Sequence, residues 1–173
     1  MIYNRGNFKQ MIQDGLEEPI SYNIFRQAKS SFHQQPSSTL LLSYLAAEIA
    51  IKDLICIKIP DANWLVMNLQ SPPLEKILSE FFHVLPDTKR IFGESWKMPS
   101  LFLIEVRKFT SQRNELTHQG AMKDIKGNAL RAMQIANNII WLCEILKGHE
   151  WARDYLDDEA KKDLGISGNP PNE

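Results

Sequence analysis

The segment PSLFLIEVRKFTSQRNELTHQG, residues 99–120, decides how this chain is expected to fold. Phe102, Val106, Phe109 and Leu116 recur at steps of four, three and seven residues, which aligns them on one face of an α-helix. Pro99 suits the first position of such a helix and Gly120 the residue that ends it, so a helix is predicted from Pro99 to about Thr117. One rung of its apolar stripe is occupied by Arg113, where a leucine would be the ordinary choice. Burying an unpaired guanidinium costs several kcal/mol. Arg113 must therefore be paired, reach outward to solvent, or line a cleft or a subunit seam.

Working outward, apolar spacing is helical nearly throughout, and alternation of period two is confined to LICIKIP before Pro60. An all-α helical bundle follows, with two long central helices and shorter peripheral ones. A short helix over about 21–33 precedes a long one over about 38–58, started by Pro36 with Ser37 or Ser38. Asp61 is positioned to cap a short helix reaching about residue 70. Pro72 and Pro73 open another that runs to about 84 and ends at Pro86. The mixed segment DTKRIFGESWKM reads as a loop. A second long helix is expected over 122–147, with Met133, Ala136, Ile140 and Cys143 on one stripe and Ile135, Ile139, Leu142 and Leu146 beside it. Residues 1–164 are expected to form a single domain, and the polar tail 165–173 to be disordered.

At 173 residues the chain can bury a genuine core without metals or disulfides. Its net charge of -1 argues against coating nucleic acid through bulk charge and leaves room only for a local basic site. Such a site is offered by residues 87–113, where Lys89, Arg90, Lys97, Arg107, Lys108 and Arg113 face Asp87, Glu94 and Glu105 in number; the alternative is a solvated helix face and a loop. Cys56 and Cys143 form no CxxC pair and read as buried thiols of a reducing compartment. The stretch MIYNRGNFKQ has no apolar core of the kind a leader needs, and the most apolar segment is interrupted by Glu48, Lys52 and Asp53, so neither a leader nor a membrane span is expected, and the protein should be cytoplasmic. His33, His83 and His149 lack partners at metal-ligand spacing and read as surface or structural groups, and no metal or cofactor is expected. Trp141, inside a long helix, reads as core.

Asn114 and His118 are four apart and share a face, whereas Arg113 and His118 lie roughly 140° apart on an ideal helix. Two such helices meeting across a two-fold axis would converge both pairs more easily than one helix alone. The chemistry that suits the trio is RNA cleavage. A histidine can take the proton of a 2'-hydroxyl or protonate the leaving 5'-oxygen, and an arginine can stabilise the negative charge that develops on phosphate. An asparagine can orient either one. The bland readings are a snorkelling or salt-bridged Arg113, a His118 that favours the helix C-terminus as a cation, a solvated Asn114, and an i,i+4 ion pair of Glu48 with Lys52.

RNELTHQG resembles the R-N-x-x-x-H motif of the HEPN superfamily, compact helical domains of toxin–antitoxin and defence systems and of RNA processing. LLSYLAAEIAIKDLI likewise resembles the long apolar helix of those domains, and the likeness spans about residues 38–147. The resemblance implies a metal-independent endoribonuclease, usually a homodimer whose motifs face each other, with RNA as substrate and an antitoxin as a possible partner protein. It makes Arg113 and His118 the catalytic pair, Asn114 the polar residue that follows the arginine, and Glu48 a supporting residue by its position. Arg107 and Lys108 are candidate RNA contacts. Some members of the superfamily bind nucleotides, RNA or proteins without cutting RNA, which is the alternative.

Overall fold

A computed structural model describes residues 18–68, 73–120 and 122–166, and all regular structure among them is helical. The helices are α1 (Ile20–Ser31), α2 (Pro36–Lys58), α3 (Asn63–Asn68) and α4 (Leu74–Lys76, continuing through a π turn at Ile77–Phe81 into Phe82–Val84). They are followed by α5 (Pro86–Phe92), α6 (Ser100–Gln119), α7 (Ile125–Lys147) and α8 (Asp158–Asp163). The bundle is built around two central helices, α2 and α7, as the two long apolar patterns require.

Both predicted stripes of α7 are in the core: every residue named for them is buried except Met133, which is half-buried. Ala46, Ala47 and Ala50 on α2 are buried as well, and such small side chains let helices approach closely. Helix α1 packs along α2, where the buried Thr39 hydroxyl donates to the Ala28 carbonyl at 3.1 Å. Helix α6 runs antiparallel to α7, because Gln112 meets Asn128 while Glu105, further back on α6, meets Arg131 further along α7. Among the described residues no helix is long and apolar enough to cross a membrane.

Several boundaries move, each for a local reason. Helix α2 begins at Pro36, a favourable first residue that needs no N–H partner, and neither Ser37 nor Ser38 caps it. Helix α7 begins three residues later than expected because Asp124, at φ 47, caps it by accepting from the Gly127 N–H. Asp61 lies inside a 3-10 turn, Pro60–Ala62, that leads into α3. The expected loop after Pro86 is in fact α5: a first-position proline, Asp87 in the first turn and Lys89 and Arg90 in the last are all helix signals, and Gly93 at φ 98 ends it. A 3-10 segment, Glu150–Tyr155, and α8 follow α7. Gly165 and Ile166, the start of the predicted tail, belong to the fold, since Ile166 is buried and its N–H donates to the Lys161 carbonyl. Residues 1–17 and 167–173, and Pro72 with the end of the predicted 61–70 helix, lie outside the described residues.

In α4, Leu74, Leu78 and Phe82 are fully buried at steps of four residues. Four residues advance about 40° too far on an ideal helix, and the wide π turn between them absorbs that drift.

Candidate functional site

Helix α6 exists because Phe102, Val106, Phe109 and Leu116 bury against the core, and the helix ends where Gly120 takes up φ 71. Burial of a phenylalanine such as Phe109 stabilises by about 1.5–3 kcal/mol, so the register of the helix is firmly set. That register carries Arg113 onto the core-facing stripe. The arginine is half-buried, and its guanidinium carbon lies 4.4 Å from the centre of the Tyr44 ring on α2. Tyr44 is buried and meets Phe109 edge to face, with centroids 5.1 Å apart. A cation–π contact of this kind contributes about 0.5–2 kcal/mol according to its exposure.

Arg113 donates from Nη1 to Asn114 Oδ1 at 3.0 Å, so the two adjacent motif residues are in contact. The Thr117 hydroxyl donates to the carbonyls of both Arg113 and Asn114, each at 3.0 Å, and so ties down the backbone between them. His118 is exposed in the last turn. The predicted trio therefore occupies one end of one helix, with the arginine against the body of the bundle and the histidine in solvent.

Glu48 is buried on α2 and pairs with Lys52 at 2.9 Å, the ion pair that their spacing foretold. It is one turn beyond Tyr44 on the same helix. The basic segment is less basic in space than in sequence. Arg107 grips Glu75 of α4 through two hydrogen bonds, of 3.0 and 2.5 Å. Lys108 pairs with Glu105 at 2.8 Å, Arg90 with Asp87 at 2.8 Å, and Lys89 with Glu94 at 3.5 Å. Arg107 and Lys108 remain exposed, but neither belongs to the Arg113 cluster. Lys108 instead lines a groove of about 250 Å³ between α6, α7 and α8, together with Glu105, Arg131 and Asp157.

Among the described residues no group of histidine, cysteine and carboxylate side chains could hold a metal ion. Cys143 is buried, and burial pushes its thiol up; Cys56 is only half-buried and donates to Asn63 Oδ1 at 3.4 Å. His83 Nδ1 is 3.0 Å from the Trp96 carbonyl, and Trp141 is core as expected.

A second polar cluster lies at the end of α7. Glu144 is almost fully buried, and its carboxylate meets Lys147 at 2.8 Å and His149 Nδ1 at 2.6 Å. Lys147 also reaches Asp53 on α2. Burial opposes the charge of Lys147, but Glu144 and Asp53 outweigh it and hold its pKa above the ordinary lysine value. Burial first, and then Glu144, push up the ionisation of the neighbouring Tyr22.

The residue that the sequence did not point to is Tyr44. Within LLLSYLAAEIA it is one more apolar side chain on a buried helix, and only the packing of α6 on α2 brings it under Arg113. No protein-family model, curated protein or solved structure matches the chain.

Proposed function

We propose that this chain is a metal-independent endoribonuclease of the HEPN type, with Arg113 and His118 as its catalytic pair. One observation carries the reading: Arg113 occupies a core position yet sits half-buried over an aromatic ring, bonded to Asn114, with His118 exposed one turn later. A guanidinium, a carboxamide and an imidazole at one helix end are the groups that metal-independent phosphate chemistry uses. In the reaction the 2'-hydroxyl oxygen attacks the adjacent phosphorus while the bond to the 5'-oxygen breaks. His118 takes the 2'-hydroxyl proton, and a proton is delivered to the departing 5'-oxygen, either by the same histidine once charged or by His118 of a second copy. The products are a 2',3'-cyclic phosphate and a 5'-hydroxyl. Arg113 stabilises the added negative charge on the phosphoryl oxygens, and Asn114 steadies Arg113.

A two-fold dimer would bring two such pairs to one cleft. The exposed leucines Leu41 and Leu45 of α2 support this, because they continue in step with Glu48 and Lys52 as a stripe beside Tyr44. An antitoxin-type protein covering that cleft would then regulate it.

The pairing of Arg107 with Glu75 and Lys108 with Glu105 favours a second reading, a non-catalytic module that binds a nucleotide, RNA or protein through Arg113. The experiment that separates the two is RNA cleavage in EDTA by purified protein, with His118→Ala and Arg113→Ala alongside. The expected result is cleavage that falls at least about a hundredfold in either variant. Equal cleavage by all three proteins, or none by any, sinks the ribonuclease reading. Binding that survives His118→Ala but not Arg113→Ala supports the module.

A further inference from the structure

The guanidinium of Arg113 is not held by its own helix alone. Phe109 and Arg113 are successive rungs of α6, four residues apart, and the Tyr44 ring from α2 contacts both of them. It meets Phe109 edge to face at 5.1 Å and the Arg113 guanidinium at 4.4 Å. Tyr44 and Phe109 are both buried, with 3% and 0% of their surfaces exposed, so the ring has no room to swing away. An arginine side chain has four rotatable bonds and loses much freedom when fixed, so an immobile ring beneath it selects the rotamers that keep the charge at one place.

We propose that Tyr44 is the positioning residue for Arg113: its ring acts as a fixed platform that aims the guanidinium at the phosphate, by cation–π contact. This rests on the ribonuclease reading for its consequence, though not for its geometry. If the guanidinium acts chiefly on charge that develops during attack, loosening it lowers kcat more than it raises KM. Tyr44→Phe keeps the ring face and should stay within about twofold of the wild type. Tyr44→Leu removes the face and should lower kcat about tenfold per folded molecule, with KM within about twofold.

Because Tyr44→Leu also opens the core, a gentler series decides the matter. Phenylalanines carrying none, one, two or three fluorines at position 44 fill nearly the same space while progressively weakening the negative ring face. Stepwise loss of kcat at constant melting temperature supports the platform, and a flat series overturns it. A second readout needs no activity. In ¹⁵N-labelled protein the Arg113 Nε–H resonance should be displaced by the Tyr44 ring current, retain that displacement in Tyr44→Phe and lose it in Tyr44→Leu. If the protein cleaves no RNA but the resonance behaves in this way, the ribonuclease reading fails and the platform stands. If the resonance is unchanged in Tyr44→Leu, the platform fails whatever the activity.

Discussion

Two helix ends in this molecule are built from similar parts. Helix α6 finishes with Arg113, Asn114 and His118 before Gly120, and α7 finishes with Glu144 and Lys147 before Gly148 and His149. Both glycines adopt left-handed conformations, at φ 71 and 106. The α7 end is closed: a buried carboxylate joins lysine and histidine, and Asp53 completes the set from α2. At the α6 end the cation rests over an aromatic ring and the histidine projects into solvent. The difference teaches where to look for chemistry. At the α7 end the charges neutralise one another inside the fold and hold helices together, whereas at the α6 end the cation lies against an aromatic ring and a carboxamide beside an exposed histidine.

That contrast can be broken first at Glu144. Glu144→Ala should cost about 3–5 kcal/mol in urea denaturation, because it leaves Lys147 buried with a single carboxylate and removes the acceptor of His149. Arg113→Ala, at a half-buried position near a helix end, should cost less, about 1–2 kcal/mol. If Arg113→Ala were the more damaging of the two, the α6 end would be structural after all. The histidines sharpen the same point on a smaller scale. His149→Ala should cost about 1 kcal/mol, since it loses a charge-assisted bond at a half-exposed site, while His118→Ala should fall within about 0.5 kcal/mol of the wild type.

The smallest effect is expected in acid. Lys58 and then Arg90 hold the carboxyl of Asp87 below its usual range, and Lys108 with Arg131 does the same for Glu105. A depressed folded-state pKa contributes stability above the ordinary carboxylate range, near pH 4, that is lost as pH falls through the folded value. Thermal melts of the Asp87→Asn, Glu105→Gln double variant should therefore fall less steeply below about pH 4 than those of the wild type.

Much of the fold was legible because burial imposes a period. The stripes of α7 and the run Phe102, Val106, Phe109 and Leu116 could be read directly, and the odd rung at Arg113 stood out against them. What the sequence hid was of two kinds. Helix starts were shifted by local choices, such as Asp124 in place of a residue nearer 122, that propensity does not rank. Contacts between distant segments left no trace in any one segment: nothing in DTKRIF marks Asp87 as the partner of Lys58, and nothing in RKFT marks Arg107 as held by Glu75. For the candidate site this meant that Arg113, Asn114 and His118 were visible as a pattern, while Tyr44, some seventy positions earlier, was not.

The π turn of α4 has a consequence for how the chain tolerates change in length. A π turn holds one residue more than an α turn, so losing one residue from Ile77–Phe81 can convert it to α-helix while Leu74 before it and Phe82 after it keep their sides. The same loss within Pro86–Phe92 has no spare residue to remove and would turn the rest of that helix by about 100°. Relatives one residue shorter are thus expected to differ from this chain inside α4, and a single-codon deletion scan across residues 74–92 should find its tolerated positions there.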